Sequence, residues 1–181
     1  MALLELPDDY DLDHLEGALA HLTSFRTAID IGAHRGIWTR AMQQRFDRVW
    51  SFEPVFELFE QIPGDDKINV ALGQFSSFCS IEAGDKNNGQ GHVVDGDDIA
   101  MLSLDMFGFD DVDFIKIDVE GYELMVLQGA MLTLTQKPAI LLEKNGLFRR
   151  YGVEDGEIEQ FLDDFGYKFR DKWRCDELYT T

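Results

Sequence analysis

The residues best suited to chemistry stand where short apolar runs end. One run leads into Asp30, Gly32 and Gly36 within the segment DIGAHRG, and the next run ends at Glu53. Glycines let a backbone turn tightly and approach a ligand with no Cβ in between, and a helix that follows points its N-terminal N–H groups at the same place. A carboxylate at the end of the second strand can accept hydrogen bonds from ribose hydroxyls. These residues predict a site for a nucleoside-bearing cofactor.

The spacing of the two glycines distinguishes between cofactors. The dinucleotide fingerprint G-x-G-x-x-G has a middle glycine where the pyrophosphate presses on the backbone, and this chain has His34 there. A bulky residue suits a cofactor without a pyrophosphate. Asp30 can either accept a hydrogen bond from a ligand amine or order the loop. S-adenosyl-L-methionine, an amino acid joined to adenosine, fits both features, and NAD is the alternative.

A second group of ionisable residues lies in a later apolar run, FIKIDV. With the period of a strand, Lys116, Asp118 and Glu120 fall on one side. A lysine in so apolar a strand needs a carboxylate partner, because burying it unpaired is costly, and Asp118, Glu120 or Asp30 can serve. The group is either an ion-pair network that only fixes the following loop or part of an active site. In the second case Asp118 contacts the cofactor, and Glu120 or Glu143 takes a proton from the acceptor.

Strand-like and helix-like segments alternate along the chain and position these residues. The apolar patterns predict strands at 27–31, 49–52, 67–72, 114–119 and 139–143, with helices at 11–22, 37–46, 54–62, 122–135 and 154–165. Segment 75–82 predicts an extra hairpin, the glycine-rich segment 83–98 a surface loop, and the C-terminal residues an antiparallel hairpin. The alternation predicts a doubly wound α/β fold, a mostly parallel sheet with helices on both faces.

Length and composition limit the classes of protein that this chain can belong to. A length of 181 residues predicts one domain over residues 1–181, with the helix in residues 1–26 packed on the core. The 16 Lys and Arg against 35 Asp and Glu give a net charge of −19, which repels polyphosphate and argues against nucleic acid and anionic membranes as partners.

Cysteine usage and the N-terminal sequence indicate the compartment. Cys79 and Cys175 lack any C-x-x-C spacing, so they build neither a zinc cluster nor a disulfide framework and fit the reducing cytoplasm. The N-terminus has no basic n-region and no apolar run of ~18 residues, so neither secretion nor membrane spanning is expected. The acidic residues lack the spacing of a calcium loop, and no required metal is predicted.

Six segments in order resemble the FkbM-type methyltransferases: DIGAHRG, SFEP, NVALG, SLD, FIKIDVEGYE and LQGA. The similarity runs from about Ala28 to Asn145, and FIKIDVEGYE is its most specific part. It implies a seven-stranded Rossmann-like enzyme that transfers a methyl group from S-adenosyl-L-methionine to an oxygen, often a hydroxyl of a sugar or secondary metabolite.

Carried over residue by residue, the resemblance also implies where the cofactor binds. It assigns the methionine end to Gly32, Ala33, His34 and Gly36, the ribose to Glu53, the adenine to Asn69, Ala71 and Leu72, and the sulfonium to Asp118. The family often has Asn at the position of His34, so here the backbone of that residue carries the assignment. His34 is otherwise a candidate base or a packing group.

The function expected from all of this is methylation of a hydroxyl on a small acceptor, possibly a carbohydrate. Methyl transfer needs alignment, exclusion of water and removal of the acceptor proton, and the candidate catalytic residues are Asp118, Glu120 and Glu143. Two alternatives stay open, an NAD-dependent oxidoreductase and a module that binds S-adenosyl-L-methionine without turnover.

Overall fold

The computed structural model describes residues 11–83 and 91–181. The strands in these ranges are β1 (Thr27–Ile31), β2 (Arg48–Phe52), β3 (Lys67–Ile68), β4 (Ala71–Leu72), β5 (Ser77–Ala83), β6 (Gly91–Leu102), β7 (Val112–Ile117), β8 (Ala139–Glu143), β9 (Lys168–Trp173) and β10 (Asp176–Thr180). The α-helices are α1 (Leu12–Leu19), α2 (Ile37–Met42), α3 (Phe56–Phe59), α4 (Glu123–Gln128), α5 (Met131–Leu134) and α6 (Glu157–Asp164), with 3₁₀ turns at Leu104–Phe107 and Leu147–Tyr151. No helix within the described ranges has the length and apolar character needed to cross a bilayer.

Seven of the described strands form one sheet in the order β3-β2-β1-β7-β8-β10-β9. In this order the first five strands, β3, β2, β1, β7 and β8, pair in parallel, and β10 runs antiparallel to both β8 and β9. The predicted doubly wound fold with its C-terminal hairpin is therefore confirmed. The sheet grows from β1 through β2 to β3 on one side and from β7 through β8 on the other. The strand order therefore reverses between β1 and β7, and sheets of this kind bind ligands at such a switch point.

Helices cover both faces of this sheet because alternate strand residues point to opposite sides. On one face, strand residues pack in one cluster with residues of α4, α5 and α6; the strand residues include Ile29, Ile31, Ile115, Ile117, Ile140 and Leu142. On the other, strand residues pack with α1 and α2; they include Ala28, Val49, Phe114, Leu141 and Leu178. Burial of each such aliphatic side chain stabilises the folded state by ~1.5–3 kcal/mol.

The assignment of all 181 residues to one domain stays a prediction.

A small second sheet, in the order β4-β6-β5, lies beside the first. The loop predicted at 83–98 is wrong at Ala83, which ends β5, and from Gly91 onwards, because β6 pairs with β5 at 91–94 and again at 99–101; residues 84–90 of that prediction lie outside the described residues. Gly91 and Gly96, two of the glycines that suggested a loop, mark close approach between the strands instead. A Cβ at Gly96 would overlap Ser80, and one at Gly91 would lie 2.6 Å from Ile81 Cγ2.

Two predicted elements are divided in the structure. The strand predicted at 67–72 becomes β3 in the large sheet and β4 in the small one. The helix predicted at 122–135 is broken at Gly129, where the backbone packs so closely on Gly73 that a Cβ would overlap its carbonyl oxygen. The second piece, α5, has its first amides capped by Asp105, which accepts from Leu132 N–H at 2.8 Å and Thr133 N–H at 2.9 Å.

The turn after β1 joins the ends of three strands at Gly32. The N–H groups of Gly32 and Ala33 both donate to Phe52 O at 3.0 Å, which connects β1 to β2. Gly32 has φ +77°, and a Cβ there would overlap the carbonyl oxygen of Asp118 at the end of β7. Glycine is required here for its conformation and, independently, for the space.

Replacing Gly32 should separate these two requirements. Gly152 has a similar φ, +75°, with nothing within 4 Å of a Cβ, so Gly152→Ala is a matched control that should cost only ~1–2 kcal/mol for the left-handed conformation. Gly32→Ala adds an overlap with backbone and should cost ~1–3 kcal/mol more. Denaturant unfolding of both variants measures the difference, and equal losses would show that the turn relaxes away from Asp118.

Candidate functional site

A cavity of about 350 Å³ opens at the carboxyl ends of β1, β2, β7 and β8. This volume lies in the range of small-molecule sites, ~300–1,000 Å³. Its walls come from the turn after β1, the segments after β2 and β7, and the edge of the small sheet. The cavity therefore lies at the switch point of the sheet and is called the strand-end cavity below.

The strand-end cavity has an apolar part and an acidic part. Much of the apolar lining comes from the segments around β2 and β4 and from the small sheet; it includes Phe52, Val55, Leu58, Val70, Ala71, Leu72, Ile81 and Val93. Besides Glu53, the acidic lining comes from the ends of β7 and β8 and from the two ends of the described chain; these residues are Asp118, Glu120, Glu143, Asp176 and Asp11, and Lys116 beside Asp118 adds one cation. Such a cavity suits a ligand with a flat apolar ring at one end and positive or hydroxyl groups at the other.

Glu53 lies in the cavity wall and connects two of its segments. Its Oε2 accepts a hydrogen bond from His34 N–H at 2.8 Å and its Oε1 accepts one from Val55 N–H at 2.9 Å. Burial raises the pKa of Glu53 to about 7, although both backbone hydrogen bonds oppose that shift. Each carboxylate oxygen can accept more than one hydrogen bond, so Glu53 can hold the turn after β1 and also bind hydroxyl groups of a ligand.

His34 contributes differently through its backbone and its side chain. Its N–H is bonded to Glu53, and its backbone is left-handed, with φ 53°. The half-buried imidazole lines the cavity. Burial, followed by the charges of Arg35 and Lys116, lowers the pKa of His34, so the ring is neutral near pH 7. A neutral ring is compatible with either role predicted for it, base or packing group.

Lys116 also lines the cavity, and it pairs with two of the three carboxylates named from the sequence. Its Nζ donates to Asp118 Oδ2 at 3.1 Å and lies 3.7 Å from Asp30 Oδ1. Asp30 is fully buried and its Oδ2 accepts from the Thr39 hydroxyl at 2.6 Å. Burial opposes the charge of Lys116, but Asp118 and Asp30 outweigh it and raise the pKa above its ordinary value. The lysine is therefore a permanent cation.

Three carboxyl groups converge beyond Asp118. Asp118, Glu120 and Glu143 can place one oxygen each within 4.8 Å of the others, and Asn145 Nδ2 donates to Glu143 Oε2 at 2.8 Å. Burial, followed by the charges of Asp118 and Glu120, raises the pKa of Glu143 to about 9. Burial and Asp118 also raise the pKa of Glu120. At neutral pH Glu143 therefore carries a proton.

The three carboxyl groups could also hold a metal ion. The sequence-based expectation that this protein requires no metal stays a prediction.

The structure brings most of the predicted site residues to one place. Those that line the strand-end cavity are Gly32, Ala33, His34, Glu53, Ala71, Leu72, Asp118, Glu120 and Glu143. The remaining three are not among its lining residues. Asp30 is bonded to Thr39, Asn69 donates to the carbonyl oxygens of Glu53 and Pro54 at 2.8 and 3.0 Å, and Gly36 packs against Ile62 and Pro63. Their contact with a cofactor stays a prediction, because each has a structural role here.

Residues that the sequence did not identify also line the cavity. Asp176 lies on β10 directly opposite Glu143 on β8, and its Oδ2 accepts a hydrogen bond from His14 Nδ1 at 2.6 Å. Asp11 lines the cavity beside α1. Nothing local in the sequence marks these residues, since only the pairing of β10 with β8 and the packing of α1 bring them to the cavity.

Comparison with known families gives one match over most of the chain. The family described as Methyltransferase FkbM domain matches residues 30–169. The resemblance read from the sequence is thereby confirmed, and it extends further towards the C-terminus than Asn145. No curated protein matches the sequence.

Several solved structures are similar in fold. The methyltransferase FkbM from Methylobacillus flagellatus KT superposes with a TM-score of 0.56 and 19% identity over 87% of this chain; the chain spans only 44% of that protein. A precorrin 8w decarboxylase from Methanobacterium thermoautotrophicum has a TM-score of 0.55 and 17% identity, over 97% of this chain and 92% of the other. The N-methyltransferase NodS from Bradyrhizobium japonicum, solved with S-adenosyl-L-homocysteine, has a TM-score of 0.52 and 10% identity, over 93% and 82%.

The proton on Glu143 should be visible in the pH dependence of stability. The pKa rises from 4.5 to about 9 on folding, so between these values the folded protein binds a proton that the unfolded chain releases, and stability falls as pH rises. Glu143→Gln cannot titrate. Relative to wild type it should gain at least ~1.4 kcal/mol in free energy of unfolding between pH 5 and pH 8, which corresponds to one pKa unit.

The measurement is urea unfolding at both pH values, with the exposed Glu57→Gln as the matched control. The control should follow wild type at both pH values. If Glu143→Gln also kept the wild-type pH dependence, Glu143 would be ionised in the folded protein.

Proposed function

This chain belongs to the FkbM methyltransferase domain family, and on that premise we propose that it transfers a methyl group from S-adenosyl-L-methionine to a hydroxyl of a sugar or other small metabolite. The cofactor of the family is S-adenosyl-L-methionine. The observation that supports the proposal is Glu53, a buried carboxylate beside a glycine turn in the wall of a cavity with an acidic far end.

The residues of the strand-end cavity fit this cofactor. The turn Gly32–His34 would hold the methionine part, Glu53 the ribose hydroxyls, and the apolar lining around Val70 and Leu72 the adenine. The acidic lining suits a positively charged sulfonium. A dinucleotide would instead bring a pyrophosphate to a wall that bears Glu53 and Asp118, with the His34 side chain at the position where the fingerprint needs glycine.

When bound, the cofactor supplies a methyl carbon that is activated by positive sulfur. The chain would align the acceptor and exclude water, and the apolar side chains of Ile81 and Val93 from the small sheet line the cavity on that side. One residue must also receive the acceptor proton. Glu143 already holds a proton at neutral pH, so we assign the proton to the carboxylate of Glu120. Its raised pKa makes it a better base than an ordinary carboxylate.

Removing the Glu53 carboxylate should weaken cofactor binding. Glu53→Ala loses charge-assisted hydrogen bonds to the ribose, and we expect S-adenosyl-L-homocysteine to bind ~2–3 kcal/mol more weakly in calorimetry. The exposed Glu57→Ala, on α3 four residues away, should bind as wild type does. Unchanged affinity in Glu53→Ala would remove Glu53 from the cofactor site.

Incubation with labelled S-adenosyl-L-methionine and a panel of glycans and hydroxylated metabolites tests the reaction. A methylated hydroxyl is expected from the wild-type chain, and Glu120→Gln should lower kcat by ~10²–10⁴, the usual contribution of a general base. Binding of NAD without binding of S-adenosyl-L-methionine would indicate an oxidoreductase. Cofactor binding with no methylated product would indicate a module without turnover.

A further inference from the structure

The cofactor would bring both signs of charge into the strand-end cavity. The methionine part of S-adenosyl-L-methionine carries a carboxylate and an ammonium group, besides the positive sulfonium. The acidic lining attracts the two cationic groups but repels the carboxylate, and Glu53 lies in the same wall as the turn that is expected to hold the methionine part. The carboxylate therefore needs hydrogen-bond donors and a positive charge near that turn.

Most backbone donors of the turn are already occupied. The N–H groups of Gly32 and Ala33 donate to the same carbonyl oxygen at the end of β2, and His34 N–H donates to Glu53 Oε2. Gly36 N–H donates to Ala33 O at 2.8 Å. Each of these groups has one hydrogen to donate. The turn can shape the pocket for the methionine part, but a side chain must supply the positive charge.

Lys116 and His34 line the cavity but do not supply this charge. The ammonium of Lys116 lies 3.7 Å from Asp30 Oδ1 and 3.1 Å from Asp118 Oδ2, so two carboxylates already balance it and its net attraction for a third is small. Burial and neighbouring positive charges lower the pKa of His34. The imidazole is therefore neutral near pH 7.

Arg35 directly follows the turn, and its charge is not balanced in this way. It lines the cavity and its side chain is exposed. Within residues 11–83 and 91–181, the guanidinium forms no hydrogen bond or ion pair. Its charge nevertheless acts on the turn, because it contributes to the lowered pKa of His34. A guanidinium has a planar fork of donors that matches a carboxylate, and it stays charged at every physiological pH.

We propose that the guanidinium of Arg35 binds the carboxylate of the cofactor's methionine part, so that the chain selects nucleosides that carry this carboxylate over those that lack it. The inference rests on the proposed function and adds to it the residue that recognises the amino-acid end of the cofactor. Arg35 takes no proton and does not contact the acceptor in this assignment.

Three nucleosides that differ only at this end test the proposal by calorimetry with the full chain. S-adenosyl-L-homocysteine has the carboxylate and the ammonium, its decarboxylated form has the ammonium alone, and methylthioadenosine has neither. Arg35→Ala should weaken binding of S-adenosyl-L-homocysteine about tenfold, the usual contribution of a charge-assisted hydrogen bond, and should leave affinity for methylthioadenosine within about twofold. The decarboxylated form should bind Arg35→Ala at least as tightly as wild type, because a positive charge near its ammonium is removed.

Two variants and one change of solvent serve as controls. Arg35→Lys keeps the charge but loses the planar fork, so it should recover part of the affinity for S-adenosyl-L-homocysteine. Arg40→Ala removes an exposed arginine of α2 that is not a lining residue and should bind all three nucleosides as wild type does. Since Arg35 is exposed, added salt should weaken binding of S-adenosyl-L-homocysteine more in wild type than in Arg35→Ala.

The inference and the proposed function fail in different ways. Unchanged affinity of Arg35→Ala for S-adenosyl-L-homocysteine would overturn the inference alone. An equal loss for all three nucleosides would also overturn it, because Arg35 would then act on the shape of the turn. Failure of wild type to bind any of the three nucleosides would overturn the proposed function and the inference with it.

Discussion

The buried ammonium of Lys116 holds together the switch point on which the whole site depends. An unpaired lysine in this environment would cost several kcal/mol, and here Asp30 and Asp118 offset that cost. Asp30 lies directly across from Lys116 in the pairing of β1 with β7. Thr39 bonds both Asp30 and the Ser51 hydroxyl, at 2.6 and 2.9 Å, so the same network reaches α2 and β2. Ionic and hydrogen bonds thus fix the strands whose ends form the cavity.

This network also determines how protons are distributed among the carboxyl groups. Lys116 lowers the pKa of the carboxyl groups around it, but burial outweighs that effect at Asp30, Glu53 and Glu143, and at Glu143 repulsion from Asp118 and Glu120 adds to it. Glu143, beyond Asp118, therefore keeps its proton near neutral pH, and Glu53 has a pKa of about 7. Crowding so many acids reduces stability. The arrangement suits a site that binds a positively charged sulfonium.

The sequence could predict those parts of the site that are encoded by residues close together along the chain. The glycine turn after β1, the acid after β2 and the carboxylate after β7 are encoded within a few residues, and their convergence follows from the parallel order of the strands. Asp30 and Asn69 do not line the cavity because their side chains form hydrogen bonds with neighbouring residues. The sequence does not show which neighbours lie close enough to form these bonds. Strand β6 was missed because its regular backbone comes from pairing with β5, and its glycines are read locally as loop residues.

The sequence could not predict that Asp176 lines the cavity, because its position depends on the antiparallel direction of β10. Parallel strands present only their carboxyl ends at the rim of the sheet, so each contributes its last residues. The antiparallel strand β10 contributes its first residue instead, and its register places Asp176 beside Glu143, the last residue of β8. The start of α1 arrives at the same rim through the contact of His14 with Asp176. A reversed strand and a helix packed on it therefore bring segments outside the family match to the acidic end of the strand-end cavity, whereas the parallel strands contribute its other walls through their carboxyl ends.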